Sequence, residues 1–470
     1  MFKKTTLIIA SSLAFIAIAG TGCKKLVEIN PPLNETSSRL AFSSDATAKS
    51  ALSGLYTSLS QVPVQTYELT QYSSLQADDL NYLSANPSLV QLSTNGYTRL
   101  STISDDPWNN WYNIIYQANS IINGLQSTSG TSPAIKKQLT AEAKFIRAYC
   151  YFNLINTFGD VPLVLETVVS KTAFLPRTDI AVIYQQIIAD LTDAKADLLS
   201  DYAFTAQDRI GVNKFTAAAL LARVYLFTAR YAEAEANASE VLASSLYSLT
   251  PQTSIATGVF AKNSKESIWQ LAPPINNTYG YTYEGSTFIP YFYSASAISY
   301  SISADLKKLF SASDLRRTKW INDVTVSGTT YSIPFKYKNN SQSAATSSGV
   351  TEYLTMMRLA EQYLIRAEAR ARIGSDLAGA LSDLNTIRTR AGAPTTNTTV
   401  AADLLNEIAT ENRKELFCEQ AYRWYNLKRT GQADAVLGAL KTTYKPSAKL
   451  LPLPQAALDA NPNLIQNPGY

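Results

Sequence analysis

The chain has 470 residues, 46% of them hydrophobic and 17% charged, so there is enough apolar side chain for a large core. Its formal charge of +4 is too small to mark a polyanion binder, so nucleic acid is not an expected partner. The count of zero histidines excludes Ser-His-Asp and Cys-His catalysis and histidine metal sites, while 28 tyrosines supply flat rings with a polar tip, suited to ligands or helix interfaces.

Residues 1–22 carry the marks of an export signal: Lys3-Lys4, an apolar stretch from Leu7 to Ala19, and the small residues Gly20-Thr21-Gly22 before Cys23. That stretch is too short to span a bilayer. Cys23 after small residues reads as a lipobox cysteine, whose acyl chains would anchor the protein at about 0.8 kcal/mol per buried CH₂. Residues 23–34 then form a short tether stiffened by Pro31-Pro32, and residues 35–470 are expected to form a single domain.

Ala51, Leu52, Leu55, Tyr56 and Leu59 predict a first amphipathic helix over 46–61. From Tyr67 to Arg99 the sequence is rich in Ser, Asn and Tyr with little period, which predicts a loop region. Loops on a rigid scaffold are where ligands usually meet a protein, so Tyr72, Asp79, Asn81, Tyr82 and Tyr97 are candidate ligand contacts. DDPWNNWYNIIYQANSIINGL predicts a long helix with Asp106 as N-cap and Pro107 at its first position; Trp108 and Trp111 fall on its core face.

The stretch around Glu142–Leu165 is the strongest helical signal. Phe145, Ala148, Tyr149, Phe152 and Ile155 form one apolar stripe, Ser132-Pro133 supply the start, and Gly159 with Pro162 supply the stop. A further helix is expected over 178–199. ALLARVYLFTARYAEA then reads as two helices broken near Ala229-Arg230, similar to the second half of a tetratricopeptide repeat, and YLIRAEARARIGSDLAGALSDLNTIRTRAG looks like a second copy. Two copies predict a mainly α, tetratricopeptide-like helical-repeat scaffold with a loop-rich face and a few short strands.

Between the copies, residues 245–352 lose helical period. ESIWQL is a candidate strand. The run from Tyr279 to Tyr293 is read either as a buried strand pair or as a ligand surface, so Tyr279, Tyr281, Tyr283 and Tyr291 join the candidate ligand contacts. The charges of ENRKELFCEQAYRWYNLKRTG, spaced two to four apart, predict partly buried Arg and Glu pairs tying helices together. Cys150 and Cys418 lie among apolar residues and are expected as buried thiols. Catalysis by two carboxylates stays open, because a glycosidase needs only two Asp or Glu across a bond. The visible pairs, Asp78-Asp79 and Asp105-Asp106, are adjacent and point apart, which suits solvated turn or cap roles.

Several of these stretches together resemble the SusD/RagB family of outer-membrane nutrient-binding lipoproteins. They are the helix EAxFxRAxxYFxL closed by FGDVPLV, the WxxxYxxIxxAN pattern from Trp108, the Asp314-x-Arg316 segment, the run of Glu411, Arg413, Glu415, Leu416, Glu419, Arg423, Trp424, Leu427, Arg429 and Gly431, and the closing NPNLIQNPGY. The sequence departs from the pattern at Asn426, where Asp is common, and at Lys24-Lys25, where some relatives carry acidic residues. The resemblance implies a surface lipoprotein of the outer membrane, lipid-anchored at Cys23, with no catalytic residues, cofactor or metal. It implies a glycan ligand and a SusC-like TonB-dependent transporter as partner.

Overall fold

The computed structural model describes residues 38–273 and 280–470. The export signal, Cys23, the 23–34 tether and Tyr279 therefore lie outside the described residues.

Helix α1 (Asp45–Gln61) starts at a capping box in which the Ser44 and Thr47 side chains each accept from the other's backbone N–H, and it buries Ala48, Leu52, Leu55 and Leu59. The 67–99 region is not a loop. It holds a π-helical turn Val64–Glu68, helix α2 (Leu69–Gln76), strand β1 (Leu80–Tyr82) and helix α3 (Pro87–Thr94). Its polar composition misleads because the polar groups are satisfied inside: Ser73 Oγ donates to Leu69 O and Gln420 O, and Gln65 Nε2 donates to Tyr149 Oη.

Helix α4 (Asp105–Ser127) follows, two residues longer at its start than Asp106 as a cap would allow; Ser104 precedes it without a side-chain cap. Trp108 and Trp111 are buried, as the core reading expects. Helix α5 (Pro133–Phe158) packs between α4 and α6 (Ile180–Asp197), so it is buried on nearly every side rather than along one stripe. Ser132 does not cap α5 with its hydroxyl. Its N–H and Oγ both bind the Asp45 carboxylate instead, at 2.6 and 2.8 Å, stitching the start of α5 to the start of α1. Gly159 ends α5 at φ +76°, a backbone that side chains disfavour, and Val161 bridges to Thr178.

Helices α7 (Lys214–Phe227) and α8 (Tyr231–Leu242) form the first repeat hairpin, with the break where expected. A short helix, α9 (Tyr283–Phe288), lies between the copies. The second hairpin, α10 (Leu359–Ile373) and α11 (Leu377–Ala391), stacks on the first through α8 and α10, and α12 (Ala401–Leu416) closes over it. Helix α6 packs on both α5 and α7, so one helical layer runs from α4 to α12.

The strands pair as three two-stranded antiparallel sheets. β1 pairs with β3 (Tyr300–Ile302), which places Tyr82 opposite Tyr300. β2 (Ser267–Leu271), the expected ESIWQL strand, pairs with β6 (Leu354–Arg358). β4 (Ile321–Val326) and β5 (Thr329–Pro334) form a hairpin whose two-residue turn, Ser327-Gly328, has positive φ at both positions, as such tight turns require. The strand-pair reading of the 279–293 aromatics is not met, since α9 occupies its centre.

The charged motif after Thr410 is a buried network. Arg358 reaches Glu415 at 2.6 Å, Glu419 at 2.7 Å and Glu266 at 2.9 Å, while Arg316 reaches Asp314 and Glu415 at 2.7 Å each. Burial alone would raise the Glu415 carboxyl, but Arg390, Arg358 and Arg316 hold it well below the usual carboxylate range. Cys150 and Cys418 are buried free thiols. The chain ends against the end of α5: Asn467 Nδ2 donates to Phe158 O at 2.9 Å and Leu451 N to Thr157 O at 2.9 Å.

Candidate functional site

The short β1–β3 ladder brings together two tyrosine-rich segments more than two hundred residues apart. Across it the Tyr82 and Tyr300 rings lie 5.6 Å apart, and Tyr300 meets Phe288 of α9 edge-on at 5.4 Å. Gln71 Nε2 donates to Tyr300 Oη at 2.5 Å, and burial pushes that phenol up to about 12. On the same side the π-helical turn presents Tyr67, whose ring stands 6.3 Å from Tyr283 at an interplanar angle of 63°. A π turn inserts a residue into helical geometry and re-aims the side chains around it, so it recurs where side chains must face a ligand. Tyr283 is 36% exposed and Tyr291 80%; Phe292 and Tyr293 are exposed beside Tyr291.

Beside Tyr82 opens a cleft of about 560 Å³ between β1, the end of α3, the turn starting at Ser303 and residues 440–443. Its hydroxyls are oriented. Thr94 Oγ1 donates to Val90 O at 2.8 Å, Ser303 Oγ donates to Asp78 O at 2.6 Å, and Thr443 Oγ1 donates to Thr94 O. With their protons committed to backbone carbonyls, these hydroxyls are left as acceptors, and Ser303 Oγ already accepts from Leu306 N at 3.2 Å. Lys441 at the cleft donates inward to Leu75 O, Gln76 O and Asn95 Oδ1 at 2.7 to 2.9 Å, and burial pushes its ammonium down to about 7.

Of the residues singled out in the sequence, Asn81 and Tyr82 line this cleft, and Tyr283 stands on the aromatic face. Tyr281 is half-buried just before α9, and Tyr291 lies just beyond it. Tyr72 is half-buried and donates to Glu68 Oε1 at 3.2 Å, next to Tyr67 rather than in the cleft. Two candidates are corrected. Asp79 is fully buried against Arg413, Oδ1 to Nε at 3.0 Å, and Tyr97 is buried with its hydroxyl on Ala448 O and its ring stacked on Tyr470 at 6.3 Å. Neither can meet a ligand. Asp78 is likewise not solvated, since Arg423 binds it at 2.7 and 2.9 Å; the two aspartates staple β1 to Arg413 in the last turn of α12 and to Arg423 beyond it. Tyr67 was missed because it opens the segment read as loop; Tyr300, buried in a three-residue strand, backs the Tyr82 ring rather than facing outward.

Residues 316–470 match the model of the SusD family, and residues 33–226 match a model described as starch-binding associating with outer membrane. SusD-like protein P2 of Formosa agariphila is 26% identical over 525 aligned residues, covering 97% of this chain and 99% of its own length. Among solved structures, a SusD superfamily protein from Bacteroides thetaiotaomicron superposes with a TM-score of 0.77 at 23% identity, over 90% of this chain and 100% of that one. A laminarin binding SusD-like protein superposes with a TM-score of 0.75 at 22% identity, over 91% of this chain and 100% of that one. With both ends of the chain matched by family models and its whole length by relatives, the chain belongs to the SusD/RagB family.

Proposed function

We propose that this protein binds a glycan on the face formed by Tyr67, Tyr82 and Tyr283, with buried Tyr300 backing Tyr82, and in the adjoining cleft, and delivers it to a TonB-dependent transporter of the outer membrane. The observation that carries this is the pairing of partly exposed tyrosine rings with oriented hydroxyl acceptors around one open cleft. Rings pack on the C–H faces of sugars, and acceptors take their hydroxyl protons. A ring covering about 100 Å² contributes roughly 2.5 kcal/mol before ordering costs, so two rings give millimolar to micromolar affinity, suited to a cargo that must be released. The names of relatives support the reading, since one solved neighbour is a laminarin binding protein and another a surface glycan-binding protein.

Attachment to the membrane would come through acylated Cys23, which follows the small residues Gly20-Thr21-Gly22 of the export signal. The glycosidase alternative is disfavoured by burial. The Asp78-Asp79 pair is locked to arginines, and Glu68 and Glu284, next in sequence to Tyr67 and Tyr283, are only 6% and 2% exposed. Binding measured by calorimetry or a glycan array, with melting temperatures alongside, tests the proposal. Tyr82→Ala and Tyr283→Ala should each weaken binding about tenfold or more while Tm holds. Wild-type affinity in both variants would place the site elsewhere, and lost stability in both would make the rings core.

A further inference from the structure

The cleft beside Tyr82 is lined, among the described residues, by three charged side chains, Asp78, Asp305 and Lys441, and none of them offers a free cation. Lys441 spends its three N–H bonds on Leu75 O at 2.7 Å, Gln76 O at 2.9 Å and Asn95 Oδ1 at 2.7 Å. Behind the wall, Asp78 takes Arg423 at 2.7 Å and Arg413 at 3.0 Å, and Asp79 takes Arg413 again at 3.0 Å. Asp305 lines the cleft with an exposed carboxylate. Its partner at 3.1 Å is Lys308, at the other end of the short helix Ala304–Lys308.

The hydroxyls of the wall point to the same ligand class. Ser93 Oγ and Thr94 Oγ1 donate to Val90 O at 3.0 and 2.8 Å, Ser303 Oγ donates to Asp78 O at 2.6 Å, and Thr443 Oγ1 donates to Thr94 O. With those protons spent, these oxygens can only accept. A sugar hydroxyl has a proton to place on such an oxygen. A sulfate or carboxylate has lone pairs alone, so it sets acceptor against acceptor, and drawing it out of water without a cation costs far more than drawing in a hydroxyl. Sites that take anionic groups hold out guanidinium or ammonium groups with donors to spare, and in this wall those donors are committed.

We propose that the cleft selects uncharged glycans and rejects chains bearing sulfate or uronate groups, with Asp305 as a specificity-determining residue. The inference rests on the glycan-binding reading and names the ligand class of that site. Asp305 acts twice: its own charge repels an anion, and it occupies the ammonium of Lys308, which would otherwise be drawn toward one. An uncharged chain is held by hydrogen bonds and ring contacts, so its affinity is insensitive to salt.

Affinity electrophoresis of the full chain tests this with a neutral set of polysaccharides, laminarin, starch, arabinoxylan and galactomannan, and an acidic set, polygalacturonate, alginate, carrageenan and heparin. Retardation should be confined to the neutral set. By calorimetry, a neutral polysaccharide that binds should lose about tenfold or more in affinity when sulfated on the same backbone, and Asp305→Asn, an exposed change, should narrow that gap several-fold. Affinity for the unsulfated form should change less than about twofold between about 50 and about 500 mM salt. Binding of an acidic polysaccharide as tight as that of any neutral one, or a steep fall with salt, overturns the inference and leaves glycan binding standing. A sulfation gap untouched by Asp305→Asn, with Tm held, overturns the role of Asp305. Failure of both sets and of a broad glycan array to bind at all removes the glycan reading, and the inference with it.

Discussion

Replacing Arg147 with alanine tests whether the most family-like stretch of the chain is scaffold. The Arg147 guanidinium binds Asp190 of α6 through two parallel bonds of 2.8 and 2.7 Å and donates to Asn119 Oδ1 of α4 at 2.8 Å, so one side chain ties three helices. The two side chains are 6% and 3% exposed, and Gln186 is Asp190's remaining partner at 3.0 Å. Removing the arginine strands a buried carboxylate, which costs about 3–5 kcal/mol. A chain of 470 residues has an unfolding entropy of about 1 kcal/mol/K at 2.1 cal/mol/K per residue, so Tm should fall by about 3–5 °C. Scanning calorimetry reads the shift. The double variant Arg147→Met with Asp190→Leu should recover much of the loss, because an apolar pair of similar volume leaves no charge behind. An unchanged Tm in Arg147→Ala, with glycan binding lost, would show that this cluster serves a ligand and refute the scaffold reading.

Glu284 gives a pH prediction. Burial pushes its carboxyl up to about 8, with Thr70 donating to it, so the folded chain holds a proton that the unfolded chain releases near 4.5. Its contribution is therefore full below about 4.5 and is lost as pH rises through about 8. Glu284→Gln should flatten the decline of Tm between about pH 5 and 9; an unaltered slope would show that Glu284 is not its source. Cys23→Ala should release the protein from membranes in fractionation without changing its melting, and retention in the absence of a transporter would refute the lipid anchor.

Local pattern determined much of this protein. The apolar stripe Phe145 to Ile155, the Gly159 stop and the two Ala-rich hairpins follow from spacing and backbone chemistry within a few turns of chain, and α5, α7, α8, α10 and α11 appear where they were expected. The arginine and glutamate spacing after Thr410 announced a buried network because so many paired charges on one segment demand partners. Residues 67–99 show where such reasoning stops. Whether a serine or glutamine is solvated depends on acceptors that arrive from elsewhere, such as Gln420 O for Ser73, and these are invisible in a local window. The same holds for the site. Asp79 and Asn81 are two residues apart with similar chemistry, yet Arg413 from a distant helix takes one and leaves the other at the cleft. Tyr67 and Tyr283 meet, and Tyr82 gains Tyr300 behind it, only through the packing of α9 on the π-helical turn and the pairing of β1 with β3, long-range contacts that no local propensity encodes.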